Sequence, residues 1–220
     1  MRDDIARLLL KAGSVTLSPQ KPFTWASGIK SPIYCDNRIL LSFPKIRNEV
    51  IREFELLIKK GKIKCDAIAG IATAGIPHAA ILADRLKKPL LYIRPQAKAH
   101  GKKNQIEGRL EKGSRVLVIE DLVSTAQSCL AAITALRKSG ALVRHCLAIF
   151  SYGLPVAQKA LERAQCQLYT LTNLETLLTV AMRDSWITRD EKVLIQKFSQ
   201  DPKGWLMKTR RPQRPRSAGR

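Results

Sequence analysis

The feature that most constrains the fold is the stretch 115–128, in which an aliphatic run leads into two acids and a small, hydroxyl-rich turn. The run is β-branched and aliphatic, which is typical of a strand buried on both faces of a sheet. Glu120 and Asp121 follow it, and residues 129–138 then have helical spacing that ends at Gly140, a common helix stop. The stretch therefore predicts a strand, a tight turn and a helix, with two carboxylates at the strand tip.

The predicted turn after the two acids is suited to binding an anion. Unpaired amides and the dipole of the following helix both point at such a turn. Carboxylates beside the anion suit the hydroxyls of a sugar or a hard metal ion. Strand–turn–helix units are common, however, and acids at a strand end can simply cap a helix. The stretch alone leaves both interpretations open.

Strands and helices alternate along the rest of the chain. This alternation predicts an α/β fold with a mainly parallel central sheet flanked by helices. Ligands of such folds bind outside the carboxyl ends of the strands. The predicted helices cover 1–12, 44–60, 78–87, 156–164, 173–182 and 188–198, and the further predicted strands cover 65–69, 89–93, 141–150 and 167–171.

Residues 1–40 are predicted to form a helix followed by a small hood, a hairpin-like excursion that turns at Gly28. Pro32 places the second run of this hairpin at an edge. A plain surface hairpin accounts for the turn. It accounts less well for the polar side chains gathered beside Tyr34, which include Lys30.

A second turn of small residues follows the predicted strand 65–69. Two glycines flank Thr73 and Ala74 in this turn, before a helix that is predicted to start next to Pro77. Glycine tolerates the dihedral angles that let the backbone approach a ligand closely. A plain strand-to-helix connection is the alternative.

The stretch 94–108 is the most polar part of the body of the chain, and we expect it to be a mobile loop. It has few apolar anchors and contains the cations Arg94, Lys98, Lys102 and Lys103. A basic loop between two ligand-binding turns is suited to closing over a polyanion. A solvated hairpin is the alternative, and it does not explain the concentration of cations.

The chain is strongly basic. Its 220 residues include 39 Lys and Arg against 18 Asp and Glu, a net charge of +21, which fits nucleic acid or an anionic substrate as a partner, or an organism with a basic proteome. Part of the excess lies in 206–220, a segment rich in Arg and Pro that we expect to be a disordered tail. The rest is spread without a stripe, which disfavours nucleic acid.

Composition also bears on location. No apolar run reaches the roughly 18–20 residues of a membrane span, and the start of the chain does not resemble a signal peptide. The five cysteines are odd in number and lack CxxC spacing, which indicates reduced thiols and no zinc site. We therefore expect a cytoplasmic protein without a membrane partner, folded as one domain over 1–205.

Four motifs occur in an order that resembles the bacterial orotate phosphoribosyltransferases, a family with the type I phosphoribosyltransferase fold. The resemblance covers about residues 1–205, and the motifs are FTWASGIKSPIYCDNR, GIATAGIP, RPQAKAHGKKNQIEG and VLVIEDLVSTAQS. It implies transfer of the phosphoribosyl group of phosphoribosyl pyrophosphate to orotate, which gives orotidine 5′-monophosphate and pyrophosphate in pyrimidine biosynthesis. It also implies Mg²⁺ held mainly by the substrate.

The resemblance further implies a homodimer in which the loop 94–108 reaches the neighbouring site, with orotidine monophosphate decarboxylase as a further partner. Lys98, which would meet the leaving group, and Asp121 are the expected catalytic residues. Orotate would contact Lys30, Tyr34 and Ser124. The residues expected to bind phosphoribosyl pyrophosphate are Thr73, Ala74, Arg94, Lys98, His100, Lys102, Glu120, Asp121, Ser124, Thr125, Ala126, Gln127 and Ser128.

The chain departs from the family most clearly at Ala126 and Gln127, where many members have glycine. A Cβ at these positions disfavours positive φ and close approach of a phosphate, so we expect weaker binding by this loop. Two alternatives remain. One is a non-catalytic phosphoribosyltransferase-fold regulator that binds nucleotide or nucleic acid. The other is a purine or uracil phosphoribosyltransferase, which is not expected to share FTWASGIKSP or HGKKNQIEG.

Overall fold

The computed structural model describes residues 2–24, 28–95, 105–201 and 204–205. The strands are β1 (Val15–Leu17), β2 (Phe23–Thr24), β3 (Lys30–Ser31), β4 (Ile33–Cys35), β5 (Ala67–Ile71), β6 (Leu90–Ile93), β7 (Ile106–Glu107), β8 (Arg115–Val123), β9 (Leu142–Ser151) and β10 (Gln167–Asn173). The helices are α1 (Arg2–Lys11), α2 (Pro44–Lys60), α3 (Gly75–Leu86), α4 (Gln127–Lys138), α5 (Pro155–Arg163), α6 (Leu174–Arg183) and α7 (Arg189–Gln200), and a 3₁₀ helix spans Asn37–Ser42.

The central sheet has the strand order β10-β9-β8-β5-β6-β7 in the part of the chain that the structure describes. Its first five strands are parallel to their neighbours, and β7 alone runs antiparallel, beside β6. This confirms the predicted mainly parallel α/β fold. The strand β7 lies inside the stretch 94–108, where a loop was expected, because Ile106 pairs with Ile93 and packs against the core.

Alternate residues of each central strand face two different hydrophobic clusters. On β8, Leu117 and Ile119 join the cluster covered by α1, α2, α3, α6 and α7, whereas Val116 and Val118 join the one covered by α4 and α5. All four side chains are 3% exposed or less. This burial on both faces is why the strand is an unbroken aliphatic run without polar alternation.

Most element boundaries differ from the sequence prediction by one to three residues, and two of these differences have a clear structural reason. β5 begins at Ala67 instead of residue 65, because the carboxylate of Asp66 binds the amide and guanidinium of Arg115 at the end of the sheet. α3 begins at Gly75, three residues early, so Pro77 lies within its first turn. The early start is possible because Gly75 has no Cβ, which would lie 2.6 Å from the carbonyl oxygen of Ile119.

The hood consists of two small antiparallel pairs, β1 with β4 and β2 with β3. Gly28 has a φ of +79° between β2 and β3, which confirms the predicted turn. Pro32 separates β3 from β4. The second run of the predicted hairpin is therefore two short strands, of which β3 pairs with β2 and β4 pairs with β1. A proline has no amide N–H to continue a ladder. In the described segments, every helix is too short or too polar to cross a membrane.

Candidate active site

The predicted site residues of the central sheet lie at one edge. Glu120 and Asp121 lie near the carboxyl end of β8, Thr73 and Ala74 follow β5, and Arg94 follows β6. Because β8, β5 and β6 are parallel neighbours, their carboxyl ends meet at the same edge. This edge is where ligands bind in sheets of this kind.

Glu120 is a buried acid held by two hydrogen bonds. It is 5% exposed, and its carboxylate accepts from the Ser128 hydroxyl over 2.8 Å and from the Asp121 amide over 3.1 Å. Burial raises the pKa of Glu120, and the neighbouring groups Cys129 and Asp121 raise it further. Burial also raises the pKa of Asp121. The two adjacent acids therefore retain a proton at a pH where an exposed carboxyl has lost it.

Asn37 connects the hood to the tip of β8. Its side chain is fully buried, donates to the carbonyl oxygen of Asp121 over 2.7 Å and accepts from the Ser14 hydroxyl over 2.7 Å. The sequence analysis gave Asn37 no role. Its place among the polar side chains near Tyr34 was the one sequence signal, because its two partners lie in β8 and beside β1, at separations that only the fold closes.

The turn between β8 and α4 has a left-handed residue at Ala126, whose φ is 64° and ψ is 14°. Position 126 thus adopts positive φ even though a Cβ disfavours this conformation. The methyl group is 3% exposed and packs in the same hydrophobic cluster as Ile133, so its burial offsets the backbone strain. α4 thus begins at Gln127 with no side-chain cap, which leaves its first amides for a ligand.

The hydroxyl groups of this turn differ in exposure. Thr125 and Ser128 are exposed, and Ser124 is half-buried. The Ser128 hydroxyl, in the first turn of α4, already donates to Glu120. The N-terminus of α4 is therefore joined directly to the pair of acids.

The turn after β5 lies directly against β8. The Ala72–Thr73 peptide is cis, Thr73 is exposed and Ala74 is half-buried. Gly75 contacts the main chain of Ile119 and Glu120 so closely that no side chain fits there. The small-residue turn and the two acids are therefore parts of one site.

The hood residues lie on their own hairpin. The Lys30 amine donates to the Thr24 hydroxyl over 2.6 Å, and the ring of Tyr34 is 5.6 Å from that of Phe23 and 44% exposed. The indole N–H of Trp205 donates to the carbonyl oxygen of Lys30 over 2.8 Å.

Arg94 is paired away from the acids. Its guanidinium lies 3.5 Å from the Glu107 carboxylate of β7, and its amide and carbonyl both bond to Gln105. Arg94 therefore lies at the same sheet edge as Glu120 and Asp121, but its guanidinium points toward Glu107 of β7 and not toward these acids. Lys98, His100 and Lys102, like the tail 206–220, lie outside the described residues.

The described residues contain no group of three or more His, Cys, Asp or Glu that could hold a metal ion. Glu120 and Asp121 offer carboxylate oxygens of the kind that Mg²⁺ prefers, but only two residues. Mg²⁺ is often bound in proteins by one or two carboxylates together with substrate phosphates and water. The acids therefore fit a metal ion that is held mainly by its substrate.

Comparisons with known proteins agree with this geometry. The family model described as phosphoribosyl transferase domain matches residues 37–170. Curated proteins named orotate phosphoribosyltransferase are 48% identical in Coxiella burnetii, over 92% of this chain and 97% of that one, and 47% identical in Bacillus subtilis, over 94% and 97%. The crystal structure of orotate phosphoribosyltransferase from Aeropyrum pernix superposes with a TM-score of 0.72 at 33% identity, over 84% of this chain and 99% of that chain.

Proposed function

The chain belongs to the orotate phosphoribosyltransferase family, and we propose how its own residues carry out the reaction of that family. The enzyme transfers the phosphoribosyl group of phosphoribosyl pyrophosphate to orotate and yields orotidine 5′-monophosphate and pyrophosphate, a step of pyrimidine biosynthesis. Relatives with this name match more than nine-tenths of the chain at 47–48% identity. The alternative of a non-catalytic regulator is therefore not favoured.

The single observation that carries the site assignment is the contact between Glu120 and the turn at 124–128. The buried carboxylate and the turn are joined by the Ser128 hydroxyl over 2.8 Å. A ribose 5-phosphate has hydroxyls and a phosphate separated by one sugar ring. Glu120 and Asp121 bind the ribose hydroxyls, and the hydroxyls of Ser124, Thr125 and Ser128 with the amides of Ala126 and Gln127 bind the 5′-phosphate.

The reaction makes a bond between orotate N1 and ribose C1 while the bond from C1 to the pyrophosphate oxygen breaks, with inversion. Positive charge develops on the ribose ring and negative charge on the leaving group. Lys98 contacts the leaving pyrophosphate. The same anion is also bound by Arg94, His100 and Lys102. The turn at Thr73 and Ala74 lies along it. Mg²⁺, when bound with the substrate, adds further neutralisation of the diphosphate. Positioning and preorganised charge lower the barrier to such a reaction.

Orotate binds beneath the hood. Its carboxylate pairs with the Lys30 ammonium, its ring lies against Tyr34, and Ser124 contacts its edge. Two observations support this. Among the described residues the Lys30 amine donates to the neutral Thr24 hydroxyl and forms no ion pair with an acid, and Tyr34 is 44% exposed. An amine without an acidic partner is available to an anionic ligand.

The protein works as a single domain over 1–205, as a homodimer in the cytoplasm, with the loop 94–108 completing the neighbouring site. The five cysteines are free thiols, which supports a reducing compartment. Orotidine monophosphate decarboxylase, which consumes the product, is a further partner. Mixing two inactive variants, Lys98→Ala and Asp121→Asn, tests the shared site, since a mixed dimer then regains one intact site. Absence of any recovered activity contradicts the exchange of loops.

The test of the function itself is the consumption of orotate in the presence of phosphoribosyl pyrophosphate and Mg²⁺. We expect turnover in the natural chain and a loss of at least about a hundredfold in Lys98→Ala, the size typical of removing one group that stabilises the charge of a transition state. Lys138→Ala is the matched control, because Lys138 is exposed at the far end of α4. Equal rates for the natural chain and Lys98→Ala contradict the assigned role.

A further inference from the structure

The hairpin that carries Lys30 is too small to hold its own position. Its strands β2 and β3 have two residues each, paired at Phe23 with Ser31 and at Thr24 with Lys30. A two-stranded hairpin is marginally stable in water even when it is longer than this. The place of the Lys30 side chain must therefore be fixed by a contact outside the hairpin.

Trp205 supplies such a contact. Its indole N–H donates to the main-chain carbonyl of Lys30 over 2.8 Å, across 175 residues of sequence. The indole is 2% exposed and packs edge-on against Phe198 of α7, with ring centroids 5.8 Å apart and ring planes at 79°. A buried aromatic ring with a single polar atom fixes the direction of its one hydrogen bond.

Two hydrogen bonds to Asp201, the residue that follows α7, hold Trp205 in this position. The Asp201 carboxylate accepts from the Gly204 amide over 3.0 Å, and the Asp201 carbonyl accepts from the Trp205 amide over 3.1 Å. A Cβ on Gly204 would lie 2.5 Å from the same carboxylate, so a side chain at this position would displace the Asp201 carboxylate from its hydrogen bond. The indole is thus rigidly attached to α7, and α7 is attached to the main core by Phe198 and Ile195.

We propose that Trp205 is a positioning residue for the pyrimidine side of the site, and that it acts through the main chain of Lys30. By holding this carbonyl, it fixes the strand from which the Lys30 ammonium reaches the carboxylate of the pyrimidine. The inference rests on the proposed role of Lys30 in binding orotate. It predicts that loss of the indole N–H weakens the binding of orotate and leaves the binding of phosphoribosyl pyrophosphate unchanged, because the latter binds at β8, β5 and β6.

The experiment is steady-state kinetics of Trp205→Phe, which retains an aromatic ring against Phe198 and removes the N–H donor. We expect KM for orotate to rise about fivefold to tenfold, the effect of one hydrogen bond net of solvent. We expect kcat and KM for phosphoribosyl pyrophosphate to change by less than about twofold. Trp186→Phe is the matched control, since Trp186 is 50% exposed in the turn between α6 and α7. A loss that is shared equally by both substrates overturns the inference.

A double-mutant cycle with Lys30→Ala separates this inference from the proposed function. If Trp205 acts through Lys30, Trp205→Phe adds almost nothing to KM for orotate in the Lys30→Ala background. Full additivity overturns the inference and leaves the role of Lys30 intact. An unchanged KM for orotate in Lys30→Ala alone overturns the role of Lys30, and the inference with it. Should Trp205→Phe unfold at the assay temperature, Gly204→Ala, which displaces the indole but retains its N–H, is expected to raise the same KM selectively.

Discussion

The side-chain amide of Asn37 lies 2.7 Å from the carbonyl oxygen of Asp121, and this hydrogen bond joins the 3₁₀ helix to β8 across 84 residues. Asn37 also accepts from Ser14, so one fully buried side chain connects the loop after α1, the 3₁₀ helix and the tip of β8. A buried amide with both its donor and acceptor occupied defines a single arrangement of these elements.

Replacing Asn37 by Ala is therefore expected to loosen the Asp121 main chain. The carbonyl of Asp121 and the hydroxyl of Ser14 lose their partner, which costs about 1–3 kcal/mol of the free energy of unfolding. Urea denaturation measures this cost, and kcat/KM for phosphoribosyl pyrophosphate is expected to fall with it. Asn48→Ala, at an exposed amide of α2, is the control. An Asn37→Ala variant as stable and as active as the natural chain contradicts the role.

Ala126 combines a left-handed backbone with a buried methyl group, and the two effects oppose each other. Ala126→Gly relieves backbone strain of about 1 kcal/mol, but it also removes a buried methyl group and raises the conformational entropy of the unfolded chain. Because these effects oppose each other, we expect the free energy of unfolding to change by no more than about 1 kcal/mol. Ala126→Val is expected to destabilise by at least about 2 kcal/mol, because a β-branched residue fits positive φ poorly. Ala131→Val, on the exposed face of α4, is the control. Thermal unfolding of the three variants measures these changes in stability.

Glu120 is expected to limit the stability of the free protein. Burial raises its pKa in the folded state above that of the unfolded chain, so folding favours the protonated acid. Its contribution to stability is full below the unfolded pKa and declines as the pH rises toward the folded pKa. Glu120→Gln, which mimics the protonated form, is expected to raise the urea midpoint more at pH 8 than at pH 4.5 while it reduces activity.

The control for this measurement is Glu111→Gln at an exposed position before β8. A Glu120→Gln variant that is less stable than the natural chain at pH 8 would show that the ionised form is the preferred one in the fold.

His78 is expected to make the protein sensitive to acid. It is fully buried in α3, neither ring nitrogen has a hydrogen-bond partner among the described residues, and burial with the charge of Arg47 lowers its pKa to about 4. Folding favours the neutral ring, so the contribution of His78 to the free energy of unfolding is complete above pH 6.5 and is lost as the pH falls toward 4. The loss amounts to about 3 kcal/mol.

His78→Leu is expected to flatten the fall in the urea midpoint between pH 6.5 and 4.5. His145→Leu is the comparison, because His145 is only half-buried, and burial together with the charge of Arg144 also lowers its pKa. An unchanged acid profile in His78→Leu would mean that other groups cause the acid sensitivity.

The central part of the fold was predictable because its sequence follows simple physical rules. The run at 116–119 is aliphatic since both faces of β8 are covered, and α2 spans 44–60 as predicted, with Pro44 at its first position. The acids at 120–121 and the small-residue turn at 73–74 could be placed at one edge because parallel strands bring their carboxyl ends together.

What the sequence could not supply were the contacts made across long separations. Asn37 and Trp205 each make one hydrogen bond to the main chain of a distant strand, and such bonds leave no local pattern. The left-handed backbone of Ala126 runs against the preference of its residue type for a related reason. Residue type indicates a preference for φ, but the packing of the methyl in a cluster that includes Val143 and Ile133 decided the outcome.

The bond between Lys30 and Trp205 has a consequence for the order of synthesis. Ribosomes build the chain from its amino end, so the hairpin emerges early and its anchor follows 175 residues later. On the proposed role of Lys30, a newly made chain lacks a fixed pyrimidine wall until Trp205 has left the ribosome and packed against α7. Orotate binding by released chains that end just before and just after Trp205 measures the difference, and full binding by the shorter chain would contradict this order.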